Sequence, residues 1–234
     1  MQYHLYNSQR ESTISGYAAE EGDNAMTKLV CFDLDDTLIR GIHSVMLLCI
    51  LNGKEKEHMH IQLQEESGML DYITADHLRA KLLVGLDESI IPKQLLNIVK
   101  PLKKIAQTVA SLHSSGIKSI VITVGPKQVA KAVCDTWGFD GYYGSDYEVT
   151  DGFFSGIITR HMGDTGKVAC LKDYCSYAGI SSSECVAVGD GSTDIPLFEY
   201  CSKSIALNAS PLVAKNAAVS ISTDNLSDIL PLVL

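Results

Sequence analysis

The segment Lys28-Leu29-Val30-Cys31-Phe32-Asp33-Leu34-Asp35-Asp36-Thr37-Leu38 does most to limit what this chain can fold into. It opens as an unbroken apolar run, the pattern of a strand covered on both faces in a parallel sheet. It then breaks into three carboxylates and a threonine. Carboxylates this close repel one another and are costly to bury without a positive partner. A hard divalent cation with oxygen ligands resolves that repulsion, and beside phosphate the usual ion is Mg²⁺. A solvated acidic turn after a core strand explains the same residues equally well. The rest of the chain has to decide.

Two further stretches repeat the design. Ser119 to Gly125 is a hydrophobic strand closing in Thr123, Val124 and Gly125, and Glu184 to Asp190 is another that ends in an acid. Pro126 opens a helix that runs to Trp137-Gly138. Tyr142 to Ile158 alternates around Asp151-Gly152, a hairpin turn signal. Gly166-Lys167 opens a helix that stops near Gly179, and Asp194 to Tyr200 forms another. Ser204 to Leu207 and Ala218 to Ile221 read as short strands, each followed by a helix. Buried strands alternating with helices predict an α/β fold built on a doubly wound parallel sheet, which binds ligands at the carboxyl ends of its strands.

Between the first two strands the pattern turns helical. Apolar residues in Val45 to Leu51, then Met59, Ile61 and Leu63, suit helices. Thr74 reads as an N-cap with Asp76 near the positive end of its helix, and Leu78, Leu82 and Leu83 face inward before a stop near Gly85. Ile91 to Val99 forms a further helix. Pro101 fits the first turn of the next one, which carries Leu102, Ile105, Ala106, Val109 and Leu112 on its inner face and ends at Gly116. Residues 1–25 are polar and aperiodic and stand outside the fold as a leader, whether a tag, an upstream start or a mobile arm. The domain reading is therefore a core of residues 26–41 and 101–234, with residues 42–100 as a small helical cap.

A net charge of −9 without any basic cluster argues against nucleic acid as a partner. No apolar run nears the roughly 20 residues that span a bilayer, which argues against a membrane partner. Seven cysteines, an odd number with no C-x-x-C pair, suit a reduced, cytoplasmic protein that uses them as small core residues. The histidines lack metal-site spacing, and His58-Met59-His60 reads as exposed.

The strand ends converge: Asp33 and Asp35 from the first, Thr123 from the second, Asp190 from the third, with Lys167 at a helix start facing them. Carboxylates can hold one Mg²⁺ while a hydroxyl, a lysine and backbone N–H groups hold phosphate oxygens. That inventory serves phosphoryl transfer, where positioning and charge neutralisation supply most of the catalysis.

In order, Asp33-x-Asp35-x-Thr37, Thr123 closing a hydrophobic strand, Lys167, and Gly189-Asp190-Gly191-x-x-Asp194 resemble the four motifs of the haloacid dehalogenase superfamily. The resemblance covers residues 28 to about 220, and the helical insertion resembles the cap of its phosphoserine phosphatase group. It implies that Asp33 attacks phosphorus and that Asp35 protonates the leaving alcohol and then activates water. It also implies that Thr123, Val124, Gly125 and Lys167 bind the phosphate. Asp33, Asp190 and the backbone carbonyl of Asp35 would hold Mg²⁺, with Asp194 supporting that site and Lys167. The implied substrate is a small phosphorylated metabolite, phosphoserine first among them, handled by a monomer or homodimer. A phosphotransferase using an acceptor alcohol in place of water is the alternative.

One departure concerns substrate selection. Relatives of the phosphoserine phosphatase type carry a glutamate after the first motif for the substrate ammonium and an arginine in the cap for its carboxylate. Here the glutamate position falls on Ile42, and the arginine position falls near Lys81, with Arg79 a second candidate. His43 or Asp36 is left to stand in for the missing acid. The expectation is weaker or altered selection for the amino group.

Overall fold

The structure, a computed structural model, describes residues 13–16, 25–163 and 165–234. Among them, ten strands and ten α-helices follow one another along the chain. Strands β1 (Thr13–Gly16), β2 (Leu29–Phe32) and the two-residue β3 (Ile39–Arg40) precede a helical stretch of α1 (Ser44–Leu51), α2 (Glu55–Glu66), α3 (Tyr72–Lys81) and α4 (Ile91–Ile98). Then come β4 (Lys100–Pro101), α5 (Ile105–Ser114), β5 (Lys118–Pro126), α6 (Lys127–Trp137), β6 (Gly141–Thr150) and β7 (Phe153–Arg160). The chain closes with α7 (Gly166–Ala178), β8 (Cys185–Gly189), α8 (Ile195–Tyr200), β9 (Lys203–Leu207), α9 (Pro211–Ala214), β10 (Val219–Ser222) and α10 (Leu230–Val233).

One sheet takes the order β1-β10-β9-β8-β2-β5-β6-β7. It is parallel from β10 to β6, and only the outermost pairs, β1 with β10 and β6 with β7, are antiparallel. The expected parallel α/β sheet is therefore present. The first strand of the sequence argument, β2, sits between β5 and β8, so all three site-bearing strands are neighbours. Their side chains alternate between two cores. Val30, Phe32, Val121 and Val188 feed one face, while Leu29, Cys31, Ile120 and Ala187 feed the other with Leu171 of α7 and Phe198 of α8. Burial on both faces is what an unbroken apolar strand requires. All seven cysteines are buried.

Several local readings need correcting. Asp71, not Thr74, caps α3: its carboxylate accepts the Thr74 N–H at 2.9 Å and the Thr74 hydroxyl at 2.6 Å. Pro101 starts no helix, because Lys100–Pro101 pairs antiparallel with Ile39–Arg40, and α5 begins only at Ile105. With that start, Ile105, Val109 and Leu112 share the inner face and Ala106 points outward. In α2 the inner face is His58 and Ile61, so His58 is buried while Met59 and Leu63 are exposed. Within the leader, Thr13–Gly16 adds an antiparallel strand to the sheet edge at β10.

Candidate active site

Asp33 is the first residue beyond β2, and its backbone N–H donates to Val188 of β8 at 2.9 Å, which fixes it between two strand ends. Its carboxylate Oδ1 accepts from Lys167 Nζ at 2.6 Å. Lys167 is the second residue of α7 and is only 1% exposed. It also donates to Asp194 Oδ1 at 2.6 Å. Burial alone would lower the lysine's pKa, but the charges of Asp194 and Asp33 outweigh it and hold the group above its usual range. Burial, then the Asp194 carboxylate, push Asp33 well above the ordinary carboxylate value.

Asp194 is tied on both sides. Its second oxygen accepts the N–H groups of Asp190 and Gly191 at 3.1 and 3.0 Å, folding the turn after β8 around it. A Cβ on Gly189 would lie 2.3 Å from the Asp194 carboxyl carbon, so only glycine permits this closeness. Asp190 Oδ1 accepts the buried Thr37 hydroxyl at 2.6 Å. Burial pushes Asp190 up to about 6 against the pull of that bond, and Asp194 adds to the rise.

Asp35 is gripped by the start of α1. The Ser44 backbone N–H donates to Oδ1 at 2.6 Å and its hydroxyl to Oδ2 at 2.7 Å. Burial raises its pKa in spite of those bonds. Gly125 is bound to this arrangement, since a Cβ there would meet Ser44 Oγ at 2.1 Å. Thr123 is buried, and its hydroxyl oxygen accepts the Gly125 N–H at 2.9 Å. Ser44 went unremarked in the sequence, and Thr37 stood there only as a motif position without a role. Ser44 carried a readable signal, a serine directly before the apolar run of Val45 to Leu51.

Ligand oxygens of Asp33, Asp190 and Asp194 all lie within 4.8 Å of one another. Three carboxylates against one ammonium leave an excess of negative charge in a buried place, which a divalent cation would neutralise. The donor set fits such an ion. With both Asp194 oxygens taken by Lys167 and backbone N–H groups, and the Asp35 carboxylate held by Ser44, Asp33 and Asp190 are the side chains with an oxygen to spare.

A cavity of about 430 Å³ opens beside Asp35. Asp35, Val124 and Gly125 line it from the sheet side, and His58, Glu65, Asp76 and Arg79 line it from α2 and α3. Of the two cap cations singled out in the sequence, Arg79 is brought into this cavity. Lys81 is not: it is exposed, and its Cα lies beside Gly156 of the β6–β7 hairpin. Ile42 is half-buried against the core. Asp36 and His43 bond each other at 2.9 Å, which lifts His43 to about 9 and leaves Asp36 already paired.

A family model of haloacid dehalogenase-like hydrolases matches residues 30–199. A phosphoserine phosphatase of Streptomyces coelicolor is 30% identical over 205 residues, covering 87% of this chain and 49% of its own length. One from Streptococcus thermophilus is 30% identical over 203 residues, covering 85% of this chain and 92% of its own. The chain thus spans about half the length of the first relative and nearly all of the second. Among solved structures, a phospho-aspartyl intermediate analogue of phosphoserine phosphatase superposes with a TM-score of 0.74 at 25% identity, over 89% of this chain and 100% of that one.

Proposed function

The chain belongs to the haloacid dehalogenase-like hydrolase family, and we propose that it is a phosphatase of the phosphoserine phosphatase-like group that hydrolyses a small phosphomonoester through an aspartyl-phosphate on Asp33. The observation that carries this is the buried Asp33 carboxylate, held at one oxygen by Lys167, with Asp35 two residues away on the same turn. Asp33 attacks phosphorus while Asp35 gives its proton to the departing alkoxide. Asp35 then takes a proton from water, which attacks phosphorus, releases inorganic phosphate and restores Asp33. The raised pKa of Asp35 favours holding the proton it must deliver.

A lysine ammonium has three N–H groups. Two of those on Lys167 go to Asp33 and Asp194, leaving the third for a phosphate oxygen. The Thr123 hydroxyl and the backbone of Val124 and Gly125 face the same oxygens in this reading. Asp33, Asp190 and the backbone carbonyl of Asp35 would hold Mg²⁺, with Asp194 fixing Lys167 beside them. Bound there, the ion supplies the charge neutralisation that lets an anionic nucleophile approach an anionic phosphate.

Phosphoserine is the first candidate substrate, since the relatives above are named for its hydrolysis. The test is release of inorganic phosphate from L-phosphoserine and an aryl phosphate, before and after chelation. EDTA should abolish turnover and Mg²⁺ should restore it. Full activity after rigorous chelation would overturn the mechanism.

A further inference from the structure

The two carboxylates of the proposed reaction are held from different sides. Asp33 is fixed through the sheet, by its N–H on Val188 and by Lys167 on its carboxylate. Asp35 has no such support. Among the described residues, both bonds to its side chain come from Ser44, the first residue of α1. The Ser44 N–H takes Oδ1 and the hydroxyl takes Oδ2, so the carboxyl group cannot turn about its Cβ–Cγ bond without breaking both. The arrangement suits the helix as well. His43, at the N-cap position, makes no capping bond with its side chain, and its ring is paired with Asp36. Asp35 fills that role from outside the helix, where the positive end of α1 favours a carboxylate.

Ser44 has little freedom of its own. It is fully buried, on a helix whose Val45, Leu47, Leu48 and Cys49 are also buried. Gly125 of β5 closes the other side: a Cβ there would come within 2.1 Å of Ser44 Oγ and 3.2 Å of Asp35 Oδ2. The hydroxyl is thus wedged between Asp35 and the strand that carries Thr123. Each carboxylate oxygen has two acceptor positions, and Ser44 occupies one on each. The remaining positions are left to carry the proton.

We propose that Ser44 is a positioning residue for the acid–base step, its hydroxyl fixing the plane of the Asp35 carboxyl and so aiming the proton given to the departing alkoxide. This rests on the hydrolase reading above and adds the group that holds its acid in place. It also ties the chemistry to the helical stretch between β3 and β4, because the acid is aimed only where α1 is seated.

The test compares kcat/KM for L-phosphoserine and for nitrophenyl phosphate in the wild type, Ser44→Ala and Ser44→Cys. Departure of an alkoxide needs the proton, whereas departure of a nitrophenolate does not. Ser44→Ala should lose about tenfold or more on phosphoserine, the worth of one hydrogen bond to a charged group. On the aryl ester it should stay within about twofold of the wild type. Ser44→Cys, close to serine in size but a weak donor, should show the same pattern, so either variant decides if the other fails to fold. A merely structural role would lower both esters together. Equal losses on the two esters, or no loss on either, would overturn the proposal. A wild type that turns over neither ester would remove the hydrolase reading itself. A selective alkyl loss in Asp35→Asn without one in the Ser44 variants would remove this inference alone.

Discussion

The catalytic floor at the strand ends and the wall of the cavity beside it are built in different ways. Floor groups stand on strand ends and one helix start, and the backbone takes part in holding them: Asp33 through Val188, Asp194 through the N–H groups of Asp190 and Gly191. The wall is a side-chain network on two short helices, running from Glu65 through Arg79 and Asp76 to His161. A floor residue cannot move without disturbing the sheet. A wall residue can change while the sheet stays as it is. In the proposed function, reaction and substrate binding therefore rest on separable structure, and substitutions in the two regions should fail differently.

The largest effect should come from the floor. Asp33→Asn removes the proposed nucleophile, and turnover should fall at least about a thousandfold on every ester, as losses of a covalent catalyst do. Rapid-quench detection of phosphorylated protein should find it in the wild type and not in the variant. Asp35→Asn should fall next, by about a hundredfold or more on an alkyl phosphate, the range for a positioned acid–base group. An aryl phosphate, whose leaving group needs no proton, should lose less. Equal losses on both would remove Asp35 from the acid's role and blur the division between floor and wall.

The same division governs what could be read from the chain. Asp33, Lys167 and Asp190 were legible because a strand end or helix start fixes where the residues there point, whatever else packs around it. The wall was not, because a helix shows its inner face only once its neighbours are known. His58 follows a charged run and reads as exposed, yet it shares the buried face of α2 with Ile61. Arg79 and Lys81 lie two apart, about 200° around a helix, so an error of two residues in the cap exchanges a cavity residue for a solvated one. Pro101 misled for a related reason: its partner strand, Ile39–Arg40, lies 60 residues back and carries no strand pattern of its own. Thr74 and Asp71 both suit a cap, and the choice depended on where α3 begins.

A smaller effect should separate the regions by pH. His58 in the unfolded chain takes a proton near pH 6.5, whereas in the fold it holds the proton off until about 4. Between those values the unfolded state binds more protons, so stability rises with pH there. The contribution is fully present above about 6.5 and lost as pH falls toward 4, at most about 3 kcal/mol at 1.36 kcal/mol per unit. His58→Leu should remove this part of the acid destabilisation. Wild type and variant are compared by Tm across that window, and parallel curves would show that the ring takes its proton without penalty.

The smallest effect should lie at the seam. His161 belongs to the loop before α7, hence to the segment that delivers Lys167, but its ring reaches the wall. Its Nδ1 accepts the Gly163 N–H at 3.0 Å, so Nε2 carries the proton that goes to Asp76. Asp76 in turn holds Arg79. Replacing His161 with alanine leaves Asp76 paired with Arg79, so the loss is one part-buried hydrogen bond, about 1 kcal/mol. That bond joins wall to floor without touching the reacting atoms. KM for L-phosphoserine should rise by about fivefold, the equivalent of that energy, while kcat stays close to the wild-type value. His161→Gln, which keeps an N–H donor, should recover part of the loss. A fall in kcat with KM unchanged would mean that His161 acts through Lys167, and that floor and wall are one unit after all.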